Sequence, residues 1–178
     1  GLAHELGMSK KTLYEHFKSK DEIVAAIIDR AGQAIRAEVQ AVLGDAGRRF
    51  TAKLTSVLEI VGGHWGRVSP SLLRELERFA PKLYRQLDEL KERNIPIVIG
   101  GLLRIGIAEG LVRPDIEPDF AVQYWLQSLN GLLSPVTLDR LQLTPRMAFD
   151  QGLRLFLASV LSERGRAELA TVIAGPRP

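Results

Sequence analysis

The chain has 178 residues, with 24 Lys+Arg against 21 Asp+Glu for a formal net charge of +3 at pH 7. Its 46% hydrophobic and 25% charged residues exclude a disordered chain, because enough apolar surface is present to offset the ordering entropy. Cysteine is absent, which excludes disulfides, thiolate metal sites and cysteine nucleophiles. The most apolar stretch, Ile95 to Ile107, is interrupted by Pro96, Gly100, Gly101, Arg104 and Gly106, against the ~20 residues a membrane span needs. With no export pattern at the start, a cytoplasmic protein without a membrane partner is expected.

In chain order, the first signal is a short apolar face, Leu2, Ala3 and Leu6, ended by Gly7. Ser9 is placed to cap a second short helix from Lys10 to about Phe17, with Leu13 and Phe17 four apart and turned inward. Two short helices joined by a glycine-containing turn predict a helix-turn-helix. Ser19 and Glu22 then form a capping box ahead of a stripe of Ile23, Val24, Ile27, Ile28, Ala31, Ile35, Val39, Val42 and Leu43. A helix from Lys20 to Leu43 follows, closed by Gly44 and Gly47. Proline at a first helical position marks later starts at Pro70, Pro81, Pro118 and Pro145. Helices are therefore expected over 46–65, 70–79, 81–109, 118–133 and 145–163. Pro96 and the Gly100-Gly101 pair should bend or break the long one, and the tail from Gly165 should fray. Sustained strand alternation is missing, so the fold class is all-α.

The chemistry-bearing segment is the first twenty residues, with four lysines against two glutamates, a local +2 within the +3 of the chain. A recognition helix whose first turn carries free amides and Lys10 and Lys11 suits phosphate, and Thr12, Tyr14 and His16 offer donors to phosphate or base edges. Lys18 and Lys20 add a second cationic contact where the next helix begins. The run Leu6-Gly7-Met8-Ser9-Lys10-Lys11-Thr12-Leu13-Tyr14-Glu15-His16-Phe17-Lys18-Ser19-Lys20-Asp21-Glu22-Ile23 resembles the DNA-reading end of tetracycline-repressor-type (TetR/AcrR) regulators. The resemblance makes residues 10–17 the recognition helix, with Ser9, Thr12, Tyr14, His16 and Lys20 positioning phosphates and Lys10 and Lys11 near base edges. It also implies about 25 further residues ahead of Gly1, completing the head. Residues 1–43 are then the DNA-binding head with its connecting helix, and residues 44–178 a regulatory domain for ligand binding and dimerisation. The partners implied are a double-stranded DNA operator, a second copy of the chain and a small apolar effector. The expected function is a ligand-responsive regulator, a repressor released by its effector. A ligand-blind regulator or activator of the same fold, and a helical interaction module without DNA binding, remain open alternatives.

Two helices carry two apolar stripes each. Over 118–133 these are Val122, Trp125, Leu126, Leu129 and Leu133 beside Ala121, Tyr124, Ser128 and Leu132. Over 145–163 they are Phe149, Leu153, Phe156 and Val160 beside Ala148, Leu155 and Leu157. A surface helix of a monomer needs one stripe, so a two-fold homodimer through a four-helix bundle is expected. For the effector, the expected bend at Pro96 and Gly100 leaves a gap that Trp65, Phe79, Tyr84 and Trp125 could line. His64, Tyr124, Gln127 and Asn130 are the polar candidates beside it; the same aromatics could equally fill a core. No catalytic or nucleotide-binding pattern is present, and three histidines, two in the head, make no metal site. No enzyme activity, cofactor or metal is expected.

Overall fold

The structure, a computed structural model, describes residues 18–174. Ser9, Lys10, Lys11, Thr12, Tyr14 and His16 lie outside the described residues, as does the predicted core of Leu2, Leu6, Leu13 and Phe17. Among the described residues are eight helices: α1 Lys20–Gly44, α2 Phe50–Gly66, α3 Pro70–Phe79, α4 Pro81–Ala108, α5 Pro118–Leu132, α6 Pro135–Leu141, α7 Pro145–Val160 and α8 Glu163–Ala174. Caps set most of these starts. Ser19, Ser69, Ser134 and Thr144 each accept a backbone N–H from three residues on, satisfying one of the orphan amides of a first turn. Glu22 completes its box one residue early, its carboxylate accepting the Lys18 amide at 2.7 Å.

α4 is the central rod. It packs on α1, α2, α3 and α5, while α7 lies against α2 and α5. α1 and α4 run parallel, with Ala25 bonded to Gln86, Gly32 to Asn94 and Leu43 seated on Gly101. One large core joins α1, α2, α4, α5 and α7 around Val39, Leu54, Leu102, Trp125 and Phe156. A smaller cluster of Ile28, Leu76 and Leu83 ties the front half of α1 to α3 and the start of α4.

Four expectations need correction. α2 starts at Phe50 rather than 46, because Asp45 folds back to accept the Gly47 amide at 2.9 Å and the Arg48 side chain at 3.0 Å, an Asx turn that competes with helix. α4 runs unbroken through Pro96. The lost backbone bond costs about 3 kcal/mol, and Ile95, Val98, Ile99, Leu102 and Leu103, all buried on α4, outweigh it at roughly 1.5–3 kcal/mol each. The expected gap is filled: a Cβ on Gly101 would stand 2.7 Å from Leu43 Cδ1, and one on Gly100 would stand 3.5 Å from Val122 Cγ2. Finally, α7 ends at Val160, and the predicted frayed tail is helix to Ala174. Leu161 leaves the helix to bridge Val112, with Arg113 N–H on the Val160 carbonyl and Ser162 N–H on that of Leu111, both at 3.0 Å. Ser162 then accepts the Gly165 amide at 3.0 Å, and Gly165 itself abuts the Leu111 carbonyl.

Candidate nucleic-acid interface

Lys18 and Lys20 flank the Ser19 cap at the start of α1, and both are exposed. A cation at the positive end of a helix dipole costs a few tenths of a kcal/mol. Two lysines there gain nothing for the helix itself, whereas a phosphate placed against the same amides would be held by both dipole and charge. Behind this end, α1 is pinned from the side by α3 and α4, through Val24, Ala25 and Ile28 against Leu76, Leu83 and Leu87. The front half of α1 is thus held along the helical bundle.

The eight sequence-predicted ligand residues are not brought together. Trp125 is a core residue, 2% exposed, its ring tilted on Phe156 at 5.1 Å and edge-on to Phe149 at 6.1 Å. Phe79 and Tyr124 are 72% and 57% exposed, and Gln127 is exposed on α5. Tyr84 packs in the smaller cluster; burial, with the charges of Asp88 and Glu77, pushes its hydroxyl up to about 12. His64 and Trp65 end α2, half-buried, and burial holds His64 below its usual 6.5, helped by Arg67 and opposed by Glu38. Asn130 is half-buried with its Oδ1 unpartnered. The gap they were expected to line is closed by Leu43 and Val122.

A different set surrounds a small apolar cavity. Phe50, Leu54, Leu102, Leu103, Phe156 and Val160 are among the residues facing a space of about 20 Å³ between α2, α4 and α7, room for about one water. Every lining residue is apolar. Sequence reasoning missed it because it is formed by the Val112–Leu161 bridge closing over three helices, a contact with no local signal. An open hollow of about 520 Å³ lies between α3 and α6, beside Arg74, Phe79, Val136 and Asp139. No group of three or more metal-binding side chains occurs among the described residues, and no described helix is long and apolar enough to cross a membrane.

On α5, Phe120 (73% exposed) and Tyr124 share a stripe with Ser128 and Gly131, and on α7 Leu155 is 75% exposed. Gly152 of α7 sits under Leu132 and 3.7 Å from the Trp125 ring at the position a Cβ would take, so the two helices lie close and their outer sides adjoin. Phe120, Tyr124 and Leu155 thus stand exposed on neighbouring helices, with none of the described residues covering them.

The chain matches, over residues 1–27, the profile of bacterial regulatory proteins of the tetR family. It is 25% identical over 134 residues to the uncharacterized HTH-type transcriptional regulator YvaF of Bacillus subtilis (strain 168), covering 75% of this chain and 70% of YvaF. SmeT, the repressor of the Stenotrophomonas maltophilia multidrug efflux pump SmeDEF, shares the fold with a TM-score of 0.58 at 18% identity, over 88% of this chain and 76% of SmeT. KstR2, a ketosteroid transcriptional regulator of Mycobacterium tuberculosis, does so with a TM-score of 0.51 at 19% identity, over 90% of this chain and 83% of KstR2. At these identities the two structures speak to fold alone.

Proposed function

We propose that the chain is a homodimeric, effector-responsive repressor, with residues 1–43 as the head and its connecting helix and residues 44–178 as the regulatory domain. The observation that carries this reading is the uncovered apolar face of Phe120, Tyr124 and Leu155 on α5 and α7. Large aromatic and aliphatic side chains at this exposure, on two adjoining helices, suit an isologous contact with a second copy. Such a dimer sets two recognition helices on successive major grooves, with half-sites about 34–36 Å apart. Ser9, Lys10, Lys11, Thr12, Tyr14, His16, Lys18 and Lys20 are the proposed DNA contacts.

The apolar cavity has room for about one water and must widen to admit an apolar effector. It borders Ile99, Leu102 and Leu103 of α4, the helix on which α1 lies, so a molecule that swells it strains the mount of the head. A 100-fold loss of operator affinity requires about 2.7 kcal/mol of coupling, which a differential burial of about 100 Å² of apolar surface supplies. The test is selection of duplexes from a random-sequence library by the full chain, followed by a thermal-shift screen of apolar compounds for ones that release the selected duplex. An inverted repeat at one-turn spacing, bound by a dimer and released by a hit, is expected. A monomer bound to a single unrepeated half-site overturns the reading.

A further inference from the structure

The seam between α1 and α4 holds one buried polar side chain, Asn94 of α4, 7% exposed. Its Nδ2 donates to the Gly32 carbonyl at 3.0 Å, and its Oδ1 accepts from Arg36 Nε at 3.2 Å. A carbonyl on one side and a guanidinium on the other leave the amide a single orientation. Both partners belong to α1 and lie one turn apart, so the amide grips α1 at two points. At the same level Gly32 admits Leu90 of α4 so closely that a Cβ would clash with the leucine's Cδ1.

Toward the head, the seam changes character. There Val24, Ala25 and Ile28 meet Leu83 and Leu87, and the polar links are Gln86 to the Ala25 carbonyl at 3.1 Å and an exposed Arg93–Asp29 pair at 3.4 Å. Apolar burial is non-directional and tolerates a small slide. A buried amide does not, because moving α1 by one residue strands both ends of Asn94 without partners. The other buried polar side chains among the described residues, Thr51 and Lys53, are on α2.

We propose that Asn94 is a positioning residue for operator reading: it fixes the register and tilt of α1 on α4, and through them the spacing of the two heads. This rests on the dimeric reading above. Lys20 stands about 18 Å along the helix from Gly32, so a tilt of about 10° there moves the head mount by about 3 Å, enough to misplace one head when the other is docked.

Two measurements on the full chain test it. The chain has no cysteine of its own, so spin labels at Lys20→Cys and Arg154→Cys, diluted with unlabelled chains, report the distance between the α1 start and α7. Asn94→Leu should shift or broaden that distance by about 2 Å or more. It should also bind the selected two-half-site duplex about tenfold more weakly while keeping wild-type affinity for a single half-site. Leu138→Ala, a truncation of a buried residue of α6 remote from the seam, should lower stability and leave both readouts unchanged. A wild-type distance in Asn94→Leu, equal broadening in Leu138→Ala, or parallel loss on half-site and full operator overturns the proposal. If Asn94→Leu does not fold, Arg36→Met removes one of the two bonds and should show a smaller shift in the same direction; no shift overturns it. If the wild type selects no duplex, the functional reading fails, and the label distance alone decides whether Asn94 holds α1.

Discussion

Lys53 is buried on α2, and its ammonium donates to the Leu43 carbonyl at 2.7 Å. The last turn of α1 has no basic residue of its own, so this lysine supplies the cation that favours a helix C-terminus. Lys53→Met keeps the apolar stem and removes the donor; a loss of about 1–2 kcal/mol is expected in urea titration. His64 gives a pH signature. Its folded pKa lies below the unfolded value of 6.5, so the unfolded chain binds the proton first. Stability is then full above pH 6.5 and falls as pH drops from 6.5 through the lowered folded value. His64→Gln should flatten this part of a stability-against-pH curve; an unchanged slope counts against the buried, neutral histidine. Lys20→Ala should weaken binding to every duplex and reduce the salt slope by about one, read by titrations at several salt concentrations. The exposed place of Lys20 beside the Ser19 cap was legible in the sequence, because a surface cation next to a cap needs no tertiary partner to be placed. Lys53 was not, since a lysine in an amphipathic helix reads as solvated until the Leu43 carbonyl is seen beside it.

At the scale of the element, caps and prolines carried most of the information. α3 was read with both ends correct, and α5 and α7 with correct starts, because Pro70, Pro118 and Pro145 can only begin a helix there. α6 was missed although Ser134-Pro135 repeats the same signature; its seven residues are too few to show a period. It ends at Gln142, which takes a left-handed conformation (φ 54°). Ser19→Ala should cost about 1 kcal/mol and raise amide exchange in the first turn of α1. Gly106→Ala tests the other end of α4. A Cβ there stands 2.8 Å from Phe50 Cε2 and crowds Val112, so a loss of about 1–3 kcal/mol in thermal unfolding is expected.

For the whole molecule, the second stripes of α5 and α7 went mostly inward: Ala121 and Ala148 are buried, Leu132 and Leu157 pack against the core, and of the large apolar members only Tyr124 and Leu155 are exposed. Trp125, Leu129, Leu153 and Phe156 went to the core, while Phe120, Tyr124 and Leu155 stayed outside. Tyr124→Lys with Leu155→Glu should leave helix content intact and yield monomers in sedimentation, with loss of two-half-site binding; a dimer of unchanged affinity would place the interface elsewhere. Chain order and local chemistry were enough to determine the all-helical class, the tetR-like run within residues 1–27 and the starts of five of the eight described helices, since caps, prolines and periodicity act over one or two turns. Where the aromatics went, how α4 continued through Pro96, and which amide met Gly32 were decided by packing between residues far apart in the chain. Such contacts depend on shape and burial in three dimensions, and no neighbour along the chain records them.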